Sequence, residues 1–265
     1  MSLRINSNVE AMQSHRQLEN TSSRISKSME KLSSGYRINR AADDAAGLGI
    51  SEKMRGQIRG LAQGQKNIQD AVGLVQTAEG NLDEVHSMLQ RIRELAVQYS
   101  NGTISPEGKS SIEAEVSALQ SEISRIGTTA KFNGITLLNS GASVVSFQVG
   151  ANDGEVITVS LVTLSSSVPT FSLSQSTILS AIDGAISAIS TTRGSFGAVQ
   201  NRLEHTLAVQ ATYQENLTSA ESRIRDVDMA EEMTKLTKDQ ILQQAGTAML
   251  AQANQAPQTV LSLLK

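Results

Sequence analysis

Apolar residues recur along most of this chain at alternating steps of three and four, and no other feature restricts its fold as strongly. A first run passes through Leu18, Ser22, Ile25, Met29, Leu32 and Tyr36. Gly35 then offers a break. A second run holds Ile58, Leu61, Gln65, Ile68, Val72, Val75, Glu79 and Leu82, and resumes at Leu89, Ile92, Ala96 and Tyr99. At about 1.5 Å per residue, the span from Asp44 to Tyr99 predicts a rod on the order of 80 Å. Asn101-Gly102 ends it. Ser105, Pro106 and Glu107 then supply an N-cap, a first-turn proline and a favourably placed negative charge. The third stripe is Ile112, Val116, Leu119, Ile123, Ile126 and Ala130.

The period then shortens to two. Asn133-Gly134 is a turn pair, and Val145, Phe147, Val149 and Ile157, Val159, Leu161 alternate with polar neighbours. This predicts a small hairpin region within 131–176. The Ser/Thr-rich stretch Ser165–Ser176 reads as a loop. The three-four step returns near Thr177 and holds from Ile182 to Ile224. Asp226 and Asp228 sit where a further helix would be capped, and Met229, Met233, Leu236, Ile241, Leu242 and Met249 follow. Pro257 is expected to close that helix. The result is a mainly α chain whose two amphipathic ends lack an obvious partner inside a compact domain.

Composition removes several functional classes. The 265 residues include no Cys and no Trp, and aromatics make up 3%. Disulfides, thiolate metal sites and Cys nucleophiles are excluded. His15, His86 and His205 have no second ligand at metal spacing. No G-x-S-x-G, P-loop or H-E-x-x-H is present, so no enzyme is expected and no cofactor is implied. Gly47-Leu48-Gly49 lacks the third glycine and the preceding strand of a dinucleotide loop, and Asp43-Asp44 reads as helix capping or a local contact. The formal net charge is −3. The first sixty residues hold ten Lys/Arg against six Asp/Glu without interleaved aromatics, which does not favour nucleic acid. Gln240–Leu264 carries no formal charge, but its amides make a membrane span unfavourable. That stretch fits either a helix facing a confined aqueous space or one packed between neighbours. The N-terminus lacks the apolar run of a secretory signal.

Several ordered motifs closely resemble bacterial flagellin. They are Leu32-Ser-Ser-Gly-Tyr-Arg-Ile-Asn39, Asp43-Asp-Ala-Ala-Gly47, Leu89-Gln-Arg-Ile-Arg-Glu-Leu-Ala-Val-Gln98, Phe132-Asn-Gly134 and the whole of Gln240–Leu264. The resemblance covers about 1–140 and 178–265. It implies a chain folded back on itself as a long antiparallel coiled-coil bundle. Residues 1–44 with 226–265 would form an inner terminal domain, and 45–225 an outer one. It implies a filament subunit for swimming motility, exported by the flagellar type III apparatus to the extracellular flagellum, with terminal segments that fold on polymerisation. The alternative is a hook-associated filament-junction protein of the same superfamily.

Under this resemblance the assembly residues are Leu18, Ile25, Met29, Leu32, Met229, Met233, Leu236, Leu242 and Leu250. Gln240, Gln243, Gln244, Gln252 and Gln255 would line a lumen. Arg91, Leu95 and Glu115 match positions touched by the flagellin-sensing Toll-like receptor. Val260, Leu261, Leu263 and Leu264 match the tail seen by cytosolic innate sensors. Partners implied are further copies of the chain, the export chaperone, hook-associated junction and cap proteins, and host innate receptors.

Overall fold

The computed structural model describes residues 7–139, 144–174 and 177–263, with 256–263 described by backbone alone. The order is α1 (Val9–Ser34), α2 (Ala45–Tyr99), α3 (Pro106–Thr129), β1 (Lys131–Phe132), β2 (Ile135–Thr136), β3 (Val144–Gln148), β4 (Val156–Ser160), α4 (Leu164–Ser167), α5 (Ile178–Arg225) and α6 (Met229–Leu263). The fold is mainly α with two small antiparallel strand pairs, in line with the two periods in the sequence. Two compact units are present, Met1–Gly56 with Asn216–Lys265, and Gln57–Glu215. The division falls inside α2 and α5, about a dozen residues from the 44/45 and 225/226 boundaries expected above. Within the first unit, Ser51 donates to Glu221 at 3.1 Å and Arg225 donates to Glu52 at 2.7 Å, so the start of α2 is held to the end of α5.

Helix ends follow local chemistry. The Asn8 side chain accepts from Ala11 N–H at 3.0 Å and opens α1. Gly35 closes it, its N–H donating to the Lys31 carbonyl at 2.9 Å. The Asp44 carboxylate accepts from Gly47 N–H at 2.8 Å, and Asp43 accepts from Asn39 and Arg40 N–H. Asp44 is therefore a helix cap, and Asp43 a local contact that closes the turn before it. The N–H groups of Arg40 and Asn39 hold the Asp43 carboxyl below its usual range. Ser105 accepts from Gly108 N–H at 3.2 Å ahead of Pro106. Asp228 accepts from Ala230 and Glu231 N–H to open α6.

The second unit is built on one apolar seam. Leu61, Ile68, Leu74, Val75, Leu82, Val85, Leu89, Ile92 and Leu95 of α2 are buried, as are Ile112, Val116 and Ile123 of α3 and Ile178, Ile182, Ile189, Phe196 and Leu203 of α5. Ion pairs flank the seam at Arg93–Asp183 (2.7 Å) and Arg193–Asp83 (2.7 Å). The first strand pair turns at Asn133 and Gly134, with φ of 46° and 83°, the primed geometry that suits a two-residue hairpin. The second pairs Val144 with Ser160 through Gln148 with Val156. It docks on α2, where Asn67 donates to the Gln148 carbonyl at 2.9 Å. A Cβ at residue 64 would lie 2.3 Å from the Val149 carbonyl oxygen, which explains Gly64.

Two expectations need correction. Part of the predicted loop Ser165–Ser176 is helical in α4, where buried Leu164 anchors one turn. The last helix does not stop at Pro257 but runs to Leu263. Proline removes the N–H that would have reached the Ala253 carbonyl. The Asn8 side-chain amide donates to that carbonyl instead, at 2.7 Å.

Candidate assembly surface

In the first unit α1 and α6 run antiparallel. Asn8 reaches Ala253, Leu18 lies against Gly246, Arg24 pairs with Asp239, Ser28 bonds Glu232, and Tyr36 bridges Asp226. The turn ends are tied by backbone bonds from Arg37 N–H to the Arg225 carbonyl (2.6 Å) and from Val227 N–H to the Gly35 carbonyl (3.0 Å). The Arg225 guanidinium lies over the Tyr36 ring at 4.8 Å from its centroid. The same guanidinium holds the Glu52 carboxyl below its usual range.

The contact face is a heptad seam, but its phase differs from the one expected. On α1 the buried and half-buried row is Ala11, Ser14, Leu18, Thr21, Ile25, Ser28 and Leu32. On α6 it is Glu232, Leu236, Asp239, Gln243, Gly246, Leu250 and Ala253. Ser28 donates to Glu232 at 2.6 Å, and Arg24 approaches Asp239 at 3.4 Å while also donating to Thr21 at 3.3 Å. Lys235 lies 3.6 Å from the other Glu232 oxygen. The buried polar groups are thus partnered, which limits the cost of removing them from water. None of Thr21, Ser28, Glu232 or Asp239 was marked by apolar periodicity. Stepping from Leu18 or Leu236 by threes and fours, whatever the residue type, would have found all four.

Of the expected assembly residues, the structure brings Leu18, Ile25, Leu32, Leu236 and Leu250 onto the seam. Leu236 is the most buried of them, at 6% exposed. Met29, Met229, Met233 and Leu242 do not join it. They lie exposed beside it, together with Met12, Ile241 and Met249. Exposed apolar side chains thus stand outside the seam on both helices, where a partner could cover them.

The amide set divides in the same way. Gln243 is half-buried on the seam, whereas Gln240, Gln244, Gln252 and Gln255 are exposed. Of the receptor candidates, Arg91 and Glu115 are exposed and paired at 2.9 Å, and Glu94 and Glu115 raise the Arg91 pKa. Leu95 is 2% exposed and belongs to the core of the second unit. Four positions separate it from Arg91, but Arg91 is exposed where Leu95 is buried. Val260, Leu261, Leu263 and Leu264 lie outside the residues whose side chains are described.

The second unit has a half-open cavity of about 210 Å³ lined by Gln120, Ser124, Asn139, Leu164, Val168 and Pro169, among others. Its lining includes no acid, base or nucleophilic thiol. Among the described residues no cluster of three or more His, Asp or Glu is placed to hold a metal ion. Among the described residues no helix is long and apolar enough to cross a membrane.

The two ends of the chain, which supply the paired helices α1 and α6, both match known protein families. Residues 5–142 match the bacterial flagellin N-terminal helical region, and residues 179–264 match the bacterial flagellin C-terminal helical region. The chain belongs to the bacterial flagellin family. A flagellin of Halalkalibacterium halodurans is 52% identical over 98% of this chain and 99% of its own length. A flagellin of Bacillus subtilis is 45% identical over 99% of this chain and all of its own length. The crystal structure of Bacillus cereus flagellin superposes with a TM-score of 0.51 and 30% identity, covering 54% of this chain and 88% of that one. Family membership makes the chain a structural protein of the short flagellin form, a subunit of the filament, and neither matched region favours a junction protein.

Proposed function

We propose that this chain, as a structural subunit of the flagellar filament, docks onto further copies of itself through the exposed apolar rows of α1 and α6. The observation that carries this reading is the division of labour on the terminal pair. Its internal seam is rich in partnered polar groups, while Met12, Met29, Met229, Met233, Ile241, Leu242 and Met249 face outward. Covering the exposed half of each contributes on the order of 1 kcal/mol. A free chain must order the terminal backbone against a seam in which six of fourteen positions are polar, at a cost of about 1–2 kcal/mol per residue. The ends therefore fold stably only when neighbours cover the outer rows, which couples folding to docking. Contacts of this heterologous kind, repeated by a rotation that does not close, build an open helical array.

The same reading places the working protein outside the cell after type III export. An export chaperone meets the C-terminal segment, and hook-associated junction and cap proteins meet the filament ends. Exposed Gln240, Gln244, Gln252 and Gln255 face the lumen. A host receptor that reads α2 meets Arg91 and Glu115 and not Leu95.

The test is seeded elongation in a kosmotropic salt, followed by electron microscopy and far-ultraviolet circular dichroism. Long uniform filaments should appear as helicity rises, and Met229→Asp with Met233→Asp should stop growth without unfolding residues 57–215. A chain that remains monomeric with full helicity, or only decorates seed ends, would overturn the reading.

A further inference from the structure

The chain has eight methionines, and their distribution is uneven. Met12 and Met29 lie on α1, and Met229, Met233 and Met249 on α6; all five are between 50% and 63% exposed. Met54 and Met88, both on α2, are half-buried, and Met88 packs against the core of the second unit. Leucine would give the outer rows the same apolar area. Methionine adds a sulfur that mild peroxides oxidise and leucine does not have. With no Cys anywhere in the chain, no thiol competes for the oxidant.

We propose that these five exposed methionines form an oxidation site that blocks the docking of a second copy. The proposal rests on the assembly role argued above. In the reaction a sulfur lone pair attacks one peroxide oxygen. The S–O bond forms as the O–O bond breaks, the sulfur loses two electrons, and the proton on the attacked oxygen passes to the departing one, which leaves as water. The product is a polar, chiral sulfoxide in place of a flexible thioether. Its oxygen requires a hydrogen-bond donor once buried. A neighbouring copy that covers these thioethers with its own apolar side chains offers none. Met229 and Met233 are one helical turn apart, so a single docking contact meets both. The change is reversible, because reductases specific for the two sulfoxide epimers restore the thioether.

The experiment treats the full chain with dilute hydrogen peroxide, quenches it, maps sulfoxides by peptide mass spectrometry and measures elongation from unoxidised seeds. The five exposed methionines should convert faster than Met54 and Met88, with elongation falling about tenfold or more. Treatment with both sulfoxide reductases should restore growth. A variant carrying leucine at all five positions, whatever its own starting rate, should elongate equally fast before and after peroxide. If the fully sulfoxidised chain elongates at its original rate, or reductase treatment removes the sulfoxides without restoring growth, the oxidation proposal falls and the assembly reading stands. If the five methionines oxidise as fast in finished filaments as in the free chain, the rows are not covered by neighbours and the assembly reading itself falls.

Discussion

The bond from Asn8 to the Ala253 carbonyl gives a quantitative test of the terminal pair. Asn8 performs two tasks with one amide. Its oxygen caps α1 by accepting from Ala11 N–H, and its nitrogen donates to the carbonyl left without a helix donor by Pro257. Losing an Asn cap costs about 1 kcal/mol. Losing a neutral hydrogen bond to an otherwise unpartnered carbonyl costs about 1 kcal/mol more. Asn8→Ala should therefore weaken the pair by about 2 kcal/mol and raise the critical concentration for seeded elongation about 30-fold. In a Pro257→Ala background residue 257 regains an N–H, and the Ala253 carbonyl has its own donor. There Asn8→Ala should lose only the cap, about 1 kcal/mol, and raise the critical concentration about fivefold. The four critical concentrations close a double-mutant cycle with a coupling of about 1 kcal/mol. An Asn8→Ala effect of equal size in both backgrounds would refute the substitution of a side-chain donor for the missing helical one.

Three further outcomes follow from the geometry. Leu236→Ala removes the most buried apolar side chain of the α1–α6 seam and should cost about 2–4 kcal/mol in the filament, seen as loss of elongation at ordinary chain concentrations; growth at the original critical concentration would contradict the seam. Gly64→Ala places a methyl 2.3 Å from the Val149 carbonyl oxygen, so it should displace the β3–β4 hairpin from α2 and lower the melting temperature of the second unit, whereas an unchanged melt would mean that the hairpin yields freely. Glu52 titrates below its ordinary value of 4.5 because Arg225 favours the charged form. Its contribution to the contact is present above that value and is lost as pH falls through the lower folded pKa. In Arg225→Gln the Glu52 midpoint, followed by nuclear magnetic resonance, should rise, and identical midpoints would remove the ion pair from the account.

Much of the architecture was legible because it depends on period and punctuation. The long runs of threes and fours mark α2, α3 and α5, and Asn101-Gly102, Ser105-Pro106 and Asn133-Gly134 mark their interruptions. The terminal seam was harder to read because its contact row contains Thr21, Ser28, Glu232, Asp239 and Gly246. A search for apolar residues shifts by one position at such places, so it selected Ser22 and Met29 in place of Thr21 and Ser28. That shift exchanged the row facing the partner helix for the row facing outward. Leu95 shows the limit of spacing as evidence. Its distance from Arg91 places both on one side of α2, but only tertiary packing into the core of the second unit decides that residue 95 is inside. The continuation past Pro257 depends on a donor 245 residues away in sequence, which no local pattern contains.

The polar seam also acts as an alignment code. In the observed alignment Ser28 meets Glu232, Arg24 meets Asp239, and Leu18 lies against Gly246. Sliding α1 by one heptad along α6, towards its C-terminus, would bring Ser28 opposite Asp239 and leave Glu232 beyond the end of α1, facing no hydroxyl donor. Arg24 would then face Gly246 with no carboxylate to meet, and Asn8 would move off the Ala253 carbonyl. An all-leucine seam would tolerate the same slide with little penalty, because one apolar layer resembles the next. Every subunit of a long polymer must present an identical surface, since a misaligned copy alters the seat offered to its successors. By accepting a weaker helix pair, this chain obtains one whose errors announce themselves locally as stranded charges, before they can propagate along the array.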